Sequence, residues 1–277
     1  MSSSDYLLFA RCVSSGECLN CPFRGRSITY GPFRSRRRGM SVGINLFPGR
    51  KVCSFNCVYC FRGRTEVKTL EPTEGPYEVS AEILRKALRE ALKEVGEISA
   101  VDFSGSGEPT LHPRFKEFTE IVREFTRELG LDVSVGIFTN SSTLGREDVV
   151  EALRRLDFVE AKLDTAIQWK FRVINRPYST LQISDIVGNL ARFRRVFEGT
   201  LAVQVMLLRY HRVGNYLVRD AELLADALSS IEPDAVHIYT VYRTPRLSRV
   251  VRADESDMLK YARVLERRGF KVEVFTR

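Results

Sequence analysis

Three cysteines stand in the stretch Cys53-Ser-Phe-Asn-Cys57-Val-Tyr-Cys60, at spacing C-x3-C-x2-C. A loop this short can aim three thiolates at three irons of a cubane [4Fe–4S] cluster, and a fully ligated cluster of that type takes four cysteines. Three ligands instead of four leave one iron open to another molecule. Ordinary apolar burial is a poor account of three cysteines within eight residues. Zinc is the competing metal, because Cys18-x2-Cys21 lies upstream and could pair with Cys57-x2-Cys60. Zinc ribbons separate such pairs by about 15–20 residues, whereas thirty-five intervene here. The spacing favours iron–sulfur, and the loop alone leaves both metals open. Cys12, Cys18 and Cys21 form a second set, C-x5-C-x2-C, amid Gly, Ser and Arg. They could hold a second iron–sulfur cluster with an outside or open fourth position, a zinc site, or one cysteine pair and a bystander.

The chain around these residues has 277 residues, 44% hydrophobic and 28% charged, enough for a sizeable core in one α/β domain. No run approaches the roughly 18–20 apolar residues of a membrane span, and Met1-Ser-Ser-Ser-Asp5 lacks the basic and apolar regions of a signal peptide. The expectation is a cytoplasmic protein, where clustered cysteines are more often metal ligands than disulfides. All six cysteines fall in the first sixty residues. The charge is equally uneven. Residues 1–70 carry twelve Lys or Arg against three acids, so the whole excess of +8 sits beside the cysteines. Such a field draws in an anionic partner; the alternative is that these arginines pair locally or only aid solubility.

The elements that must position the cysteines follow from periodicity. Residues 6–38 show no clean period, and Tyr30-Gly-Pro-Phe-Arg-Ser-Arg-Arg-Arg-Gly39 reads as a basic loop turning at Gly31-Pro32. Strands are expected over 40–46, 98–103, 131–138, 158–163, 201–208 and 235–241, with a seventh over 271–275. Helices are expected from the cap Ser80 to Gly96, from Pro113 to Gly130, and near 146–156, 183–197, 216–230 and 254–268. Regular strand–helix alternation implies parallel strands with right-handed crossovers. Six such units favour α/β, a partial (β/α)6 TIM-like barrel over 39–277 with a cysteine- and arginine-rich N-terminal extension over 1–38, with an open doubly wound sheet as the alternative the pattern leaves.

Chemistry in such barrels gathers at the C-terminal strand ends. Those ends hold, in order, the cysteine loop, Ser106-Gly107-Glu108-Pro109, Thr139-Asn140 and Lys162-Leu163-Asp164. Each alone is ordinary: a Gly-rich turn, a helix cap, an exposed acid. Their order, together with the aromatic Tyr59 before Cys60, resembles the radical S-adenosylmethionine (SAM) superfamily from about Tyr30 to Pro245. That resemblance implies a [4Fe–4S] cluster on Cys53, Cys57 and Cys60, whose open iron chelates SAM. It further implies reductive cleavage to a 5′-deoxyadenosyl radical, and a ferredoxin- or flavodoxin-type electron donor. Ser106, Gly107 and Glu108 would face the methionine group, Asn140 the ribose or carboxylate, and Asp164 the ribose hydroxyls, with Arg172 and Asn175 nearby. Ser106 stands where the family more often has Gly, tolerable if the contact is through backbone. Gln204 faces in or out according to a register the sequence leaves open, and a lone His237 on the sixth strand reads as core.

The run Tyr30 to Leu46 before Cys53 also resembles an iron–sulfur oxidoreductase family related to wyosine-type tRNA synthases. Those synthases condense pyruvate with a methylated guanosine in tRNA, using a second cluster and a lysine. On that resemblance Cys12, Cys18 and Cys21 would hold the second cluster, Lys162 is the strand-end lysine for imine chemistry, and tRNA is the anionic partner. Tighter cysteine spacing, a shorter chain, and Cys60-Phe61-Arg62 in place of the synthases' Cys-Trp-Arg are departures from that pattern. The rival readings are a maturase or activase acting on a peptide, protein or small molecule, and a non-catalytic zinc protein that binds nucleic acid.

Overall fold

Alternating apolar runs and amphipathic segments generate a sheet wrapped by helices on one face. The computed structural model describes residues 6–12, 25–35 and 37–276. The chain begins with β1 (Leu7–Arg11), β2 (Ser27–Ser35) and β3 (Gly39–Ile44), then the short strands β4 (Val52–Cys53) and β5 (Val67–Lys68) that bracket the cysteine loop. Helix α1 (Ala81–Val95) leads to β6 (Ala100–Phe103), α2 (Phe115–Glu128) to β7 (Ser134–Thr139), and α3 (Glu147–Leu153) to β8 (Phe158–Lys162). Helices α4 (Gln168–Ile174) and α5 (Ile183–Arg194) precede β9 (Thr200–Tyr210). Then come β10 (Val213–Gly214), α6 (Val218–Ile231), β11 (Ala235–Thr240), β12 (Val250–Arg252), α7 (Glu255–Arg267) and β13 (Val272–Phe275).

Strands β3, β6, β7, β8, β9 and β11 pair in parallel and in chain order. This is the partial barrel expected from the alternation. It extends at one edge through β2, antiparallel to β3, and β1, and at the other through β13, parallel to β11. The outward residues Val101, Phe103, Val135, Ile137, Val159, Val203 and Ile238 join Leu84, Leu88, Phe118, Val122 and Phe125 of the helices in one core. Helix α1 starts where Ser80 Oγ accepts from Ile83 N at 3.2 Å, a cap contributing about 1 kcal/mol.

Besides the short strands β1, β4, β5, β10 and β12, two segments depart from the sequence pattern. The run from Tyr30 is strand β2 rather than a loop. Its ladder with β3 shifts register between Tyr30 and Phe33, so Pro32, which has no N–H, sits in the irregularity and the strand continues past it. Helix α4 lies in what the pattern leaves as a long connection.

The inner face of the barrel is polar. Past Ser35 the chain turns under the N-terminal end of the barrel, and Arg37 and Arg38 enter it. Arg38 donates to Asp102 Oδ1 (3.1 Å) and Ser134 Oγ (2.8 Å) and lies over the Phe158 ring. Burial pushes the Asp102 pKa up to about 6, against the pull of Arg38. Gly136 makes room for this pair, since a Cβ there would stand 2.7 Å from Asp102 Oδ1 and 2.8 Å from Arg38 Nη2. Arg37 is sandwiched between Phe138 and Tyr239 and meets Glu160 at 2.8 Å. From Glu160 the polar chain runs to Gln204 Nε2 (2.9 Å), and from Gln204 Oε1 to Lys162 Nζ (2.8 Å). It ends where Lys162 Nζ lies 3.1 Å from Asp164 Oδ1. His237, buried beside it, places Nδ1 3.5 Å from Glu160 Oε1.

Candidate active site at the strand ends

The cysteine loop lies across the C-terminal ends of the strands. Its first anchor is β4, whose Val52 bridges to Gly107 after β6. Val52 O accepts from Glu108 N at 2.9 Å. A Cβ on Gly107, at φ +119°, would fall 1.7 Å from Val52 O, so only glycine admits this approach. The loop's other anchor is the end of α4, where Val58 N donates to Ile174 O and Asn56 N to Asn175 O.

Each cysteine receives one side-chain N–H. Asn140 Nδ2 donates to Cys53 Sγ (3.4 Å), Asn175 Nδ2 to Cys57 Sγ (3.7 Å) and Lys51 Nζ to Cys60 Sγ (2.9 Å). These donors come from the end of β7, the end of α4 and the approach to β4. Burial pushes the Cys53 thiol up to about 12 and the Cys57 thiol up to about 11. Burial acts on Cys60 too, but Lys51, by its charge and its hydrogen bond, helps bring that thiol below its ordinary value. A metal bound there would itself deprotonate such buried thiols.

The acids singled out from the sequence are at the site, but they face inward. Glu108 is buried and fully occupied: Oε1 accepts from Thr110 Oγ1 (2.7 Å) and Thr139 Oγ1 (2.8 Å), and Oε2 from Asn140 N (2.6 Å). It clamps the end of β6 to the end of β7. Asp164 Oδ2 accepts from Tyr59 OH (2.5 Å) and Asn175 Nδ2 (2.6 Å), and Oδ1 from Met206 N (2.8 Å), beside Lys162. The aromatic slot before Cys60 is thus a post tying the loop to β8. Ser106 N donates to Asn45 Oδ1 at 2.9 Å. Asn140 Nδ2 also reaches Ser54 Oγ at 2.9 Å. Gln204 faces inward, and Arg172 is exposed on α4.

Cys12 follows β1, where its N donates to Gly31 O at 2.8 Å. Since Leu7 pairs with Ser27 nearest the strand ends and Arg11 with Gly31, Cys12 lies down the sheet from the mouth. Cys18 and Cys21 lie outside the described residues. Lys51 was visible in the sequence only as one basic residue among twelve. A lysine two positions before Cys53, at the entry to a strand, is the signal that could have found it.

Among the described residues, no three His, Cys, Asp or Glu side chains form a group that could hold a metal ion. One zinc would need the sulfurs of Cys53, Cys57 and Cys60 to converge on a single point. A cubane asks something different of them: one thiolate per iron, with N–H donors on the sulfurs. The donor set fits that demand.

A parallel barrel with thiols and polar groups assembled at its strand ends has the layout of an enzyme site. The sequence model of the Radical SAM superfamily matches residues 50–208, and the chain belongs to that superfamily. Its enzymes use SAM and a [4Fe–4S] cluster and need a reductant. A UPF0026 protein of Methanocaldococcus jannaschii is 33% identical over 223 residues, covering 79% of this chain and 65% of that protein. The chain thus spans slightly less than two thirds of that relative. Among solved structures, a radical SAM methyltransferase from Sphaerobacter thermophilus superposes with TM-score 0.65 at 15% identity, over 85% of this chain and 66% of that one. TYW1 with a lysine-pyruvate adduct bound gives TM-score 0.59 at 19% identity, over 82% and 73%. Among the described residues, no helix is long and apolar enough to cross a membrane.

Proposed function

We propose that Cys53, Cys57 and Cys60 hold a [4Fe–4S] cluster that binds SAM, and that the enzyme acts on an anionic macromolecule, with tRNA base modification as the reaction class. The observation that carries the cofactor assignment is the set of three N–H donors, one to each sulfur. When bound, the cluster and SAM supply one-electron cleavage of the sulfonium and a radical that abstracts hydrogen. The chain's own groups bind and orient. Ser106 and Gly107 present backbone at the rim. Glu108 and Asp164 have their oxygens engaged within the protein, so they hold the rim and the loop in place. Asn140 ties the end of β7 to Cys53. Lys162 is committed to Asp164 and Gln204, which favours a positioning role over imine chemistry.

The substrate reading rests on charge at the mouth. Past the buried Asp164, residues 165–182, 211–217 and 241–249 of the segments after β8, β9 and β11 contain no acid. They carry Arg172, Arg176, Arg212, Arg243, Arg246 and Arg249, beside Trp169 and Tyr242, which are 54% and 59% exposed. Arginines interleaved with exposed aromatics suit phosphates and stacked bases.

Anaerobically reconstituted protein should be brown and release 5′-deoxyadenosine on reduction with SAM. A Cys57→Ala protein that still cleaved SAM would sink the cofactor assignment. Bulk tRNA should bind with an affinity that falls steeply with salt. Salt-independent tRNA binding, or none, would turn the substrate reading towards a peptide or protein.

A further inference from the structure

Lys51 and Lys170 are the two lysines buried among the described residues, at 5% and 6% exposure. Burying an ammonium without a counter-charge is costly enough that proteins avoid it. Lys170 meets Asp220 at 2.6 Å. The arginines inside the barrel follow the same rule, Arg37 on Glu160 and Arg38 on Asp102. Lys51 breaks it. Among the described residues no carboxylate lies within ion-pair distance of its Nζ, which instead contacts Cys60 Sγ at 2.9 Å and Gly63 O at 2.8 Å. The side chain is held in place by its own backbone, since Lys51 N donates to Glu66 Oε1 and Lys51 O accepts from Glu66 N and Val67 N. Its position is therefore a product of the β4–β5 pairing rather than of a flexible side chain seeking solvent.

We infer that Lys51 is the built-in counter-charge of the cysteine loop, and that it raises the reduction potential of the cluster the loop holds. The inference rests on the cluster assignment above. A reduced cluster carries one more negative charge than an oxidised one. A buried cation against one of its ligands therefore favours the reduced form, and does so strongly where water is excluded. Asn140 and Asn175 serve the other two sulfurs with neutral N–H groups at longer range, so the donor to Cys60 is the one cation among the three. The electron itself comes from an external low-potential one-electron donor.

The test is a redox titration of the reconstituted full-length protein, followed by electron paramagnetic resonance without SAM, so that catalysis is not the readout. The variants are Lys51→Met, Lys51→Gln and Lys51→Arg, with the exposed Lys86→Met as control. Lys51→Met and Lys51→Gln should lower the reduced-to-oxidised ratio at fixed potential at least tenfold, a midpoint shift of 59 mV for one electron. Lys51→Arg should stay within threefold of wild type, and Lys86→Met should not differ from it. Folded Lys51→Met and Lys51→Gln proteins that take up no cluster, while Lys51→Arg does, also support the counter-charge. Unshifted midpoints in cluster-loaded Lys51→Met overturn it, as does loss of the cluster in all three variants, which would mean that Lys51 acts by shape. Wild-type protein that binds no iron or sulfide would instead remove the cluster assignment itself, and this inference with it.

Discussion

Replacing Arg37 with Met takes the cation out of the closed end of the barrel while nearly keeping its volume between Phe138 and Tyr239. Glu160 would then be a carboxylate with a side chain 1% exposed, left with Gln204 Nε2 at 2.9 Å and His237 Nδ1 at 3.5 Å. Removing one member of a buried ion pair costs roughly 3–5 kcal/mol, because the other charge stays desolvated. Arg37 is itself 14% exposed, so some water can reach the gap, and the expected loss lies near the lower bound, about 3 kcal/mol. With a urea dependence of about 3 kcal/mol per molar, the midpoint should fall by about 1 M. Metal-free protein followed by far-ultraviolet circular dichroism keeps cluster loss out of the measurement. The double variant Arg37→Met/Glu160→Gln removes the stranded charge and should recover at least about 2 kcal/mol. A single variant within about 1 kcal/mol of wild type, or a double variant no more stable than the single, would refute the view that these arginines close the barrel as buried partners.

Three further outcomes follow from the site. Gly107→Ala forces a Cβ onto Val52 O, and should destabilise the protein by more than about 2 kcal/mol and abolish SAM binding measured by equilibrium dialysis. Tyr59→Phe removes one donor from Asp164 Oδ2, and should cost about 1.5–3 kcal/mol in chemical denaturation and speed iron loss to a chelator. His112, buried between Phe47 and Phe118, has its pKa lowered to about 4, mainly by burial. The folded protein then resists a proton that the unfolded chain accepts near 6.5. This contribution to stability is complete above pH 6.5 and is lost as pH falls towards 4, by about 3 kcal/mol. His112→Asn should lack that component, read as the difference between the two proteins' stability–pH curves.

The barrel was legible because its strands and most of its helices are periodic and bounded by Gly and Pro. Helix α4 was not, because seven residues of mixed polarity between two other connections give no period to read. Strand β2 was hidden by Gly31-Pro32, a breaker pair that here falls in an irregular part of the ladder. At the site, residue types were legible and partners were not. Asp164 reads as a strand-end acid, which is where it is found. The donors that occupy it come from Tyr59, Asn175 and Met206, segments far apart in sequence that only the closed sheet brings together. Glu108 reads as an acid in a Gly-rich turn, and the threonines and the backbone N–H that engage it belong partly to the next strand.

Charge gives the sharpest case of what a linear sum conceals. Residues 1–70 hold the whole formal excess, and taken alone that points to a basic N-terminal face. In the fold, three of those bases turn inward: Arg37 and Arg38 to acids of the barrel, and Lys51 to Cys60. The neutral remainder of the chain is neutral only on average. Many of its acids lie on the outer helices, while the segments after β8, β9 and β11 have bases and, apart from the buried Asp164, no acids. A substrate drawn to this protein by its field would therefore meet the rim beside the cysteine loop, where the chemistry is, rather than the N-terminal edge. Neutralising Arg172, Arg212 and Arg249 together should weaken tRNA binding and flatten its salt dependence by about three phosphate contacts. Removing Arg26 and Arg34 should leave both nearly unchanged, and a larger effect from that pair would move the docking surface back to the N-terminal edge.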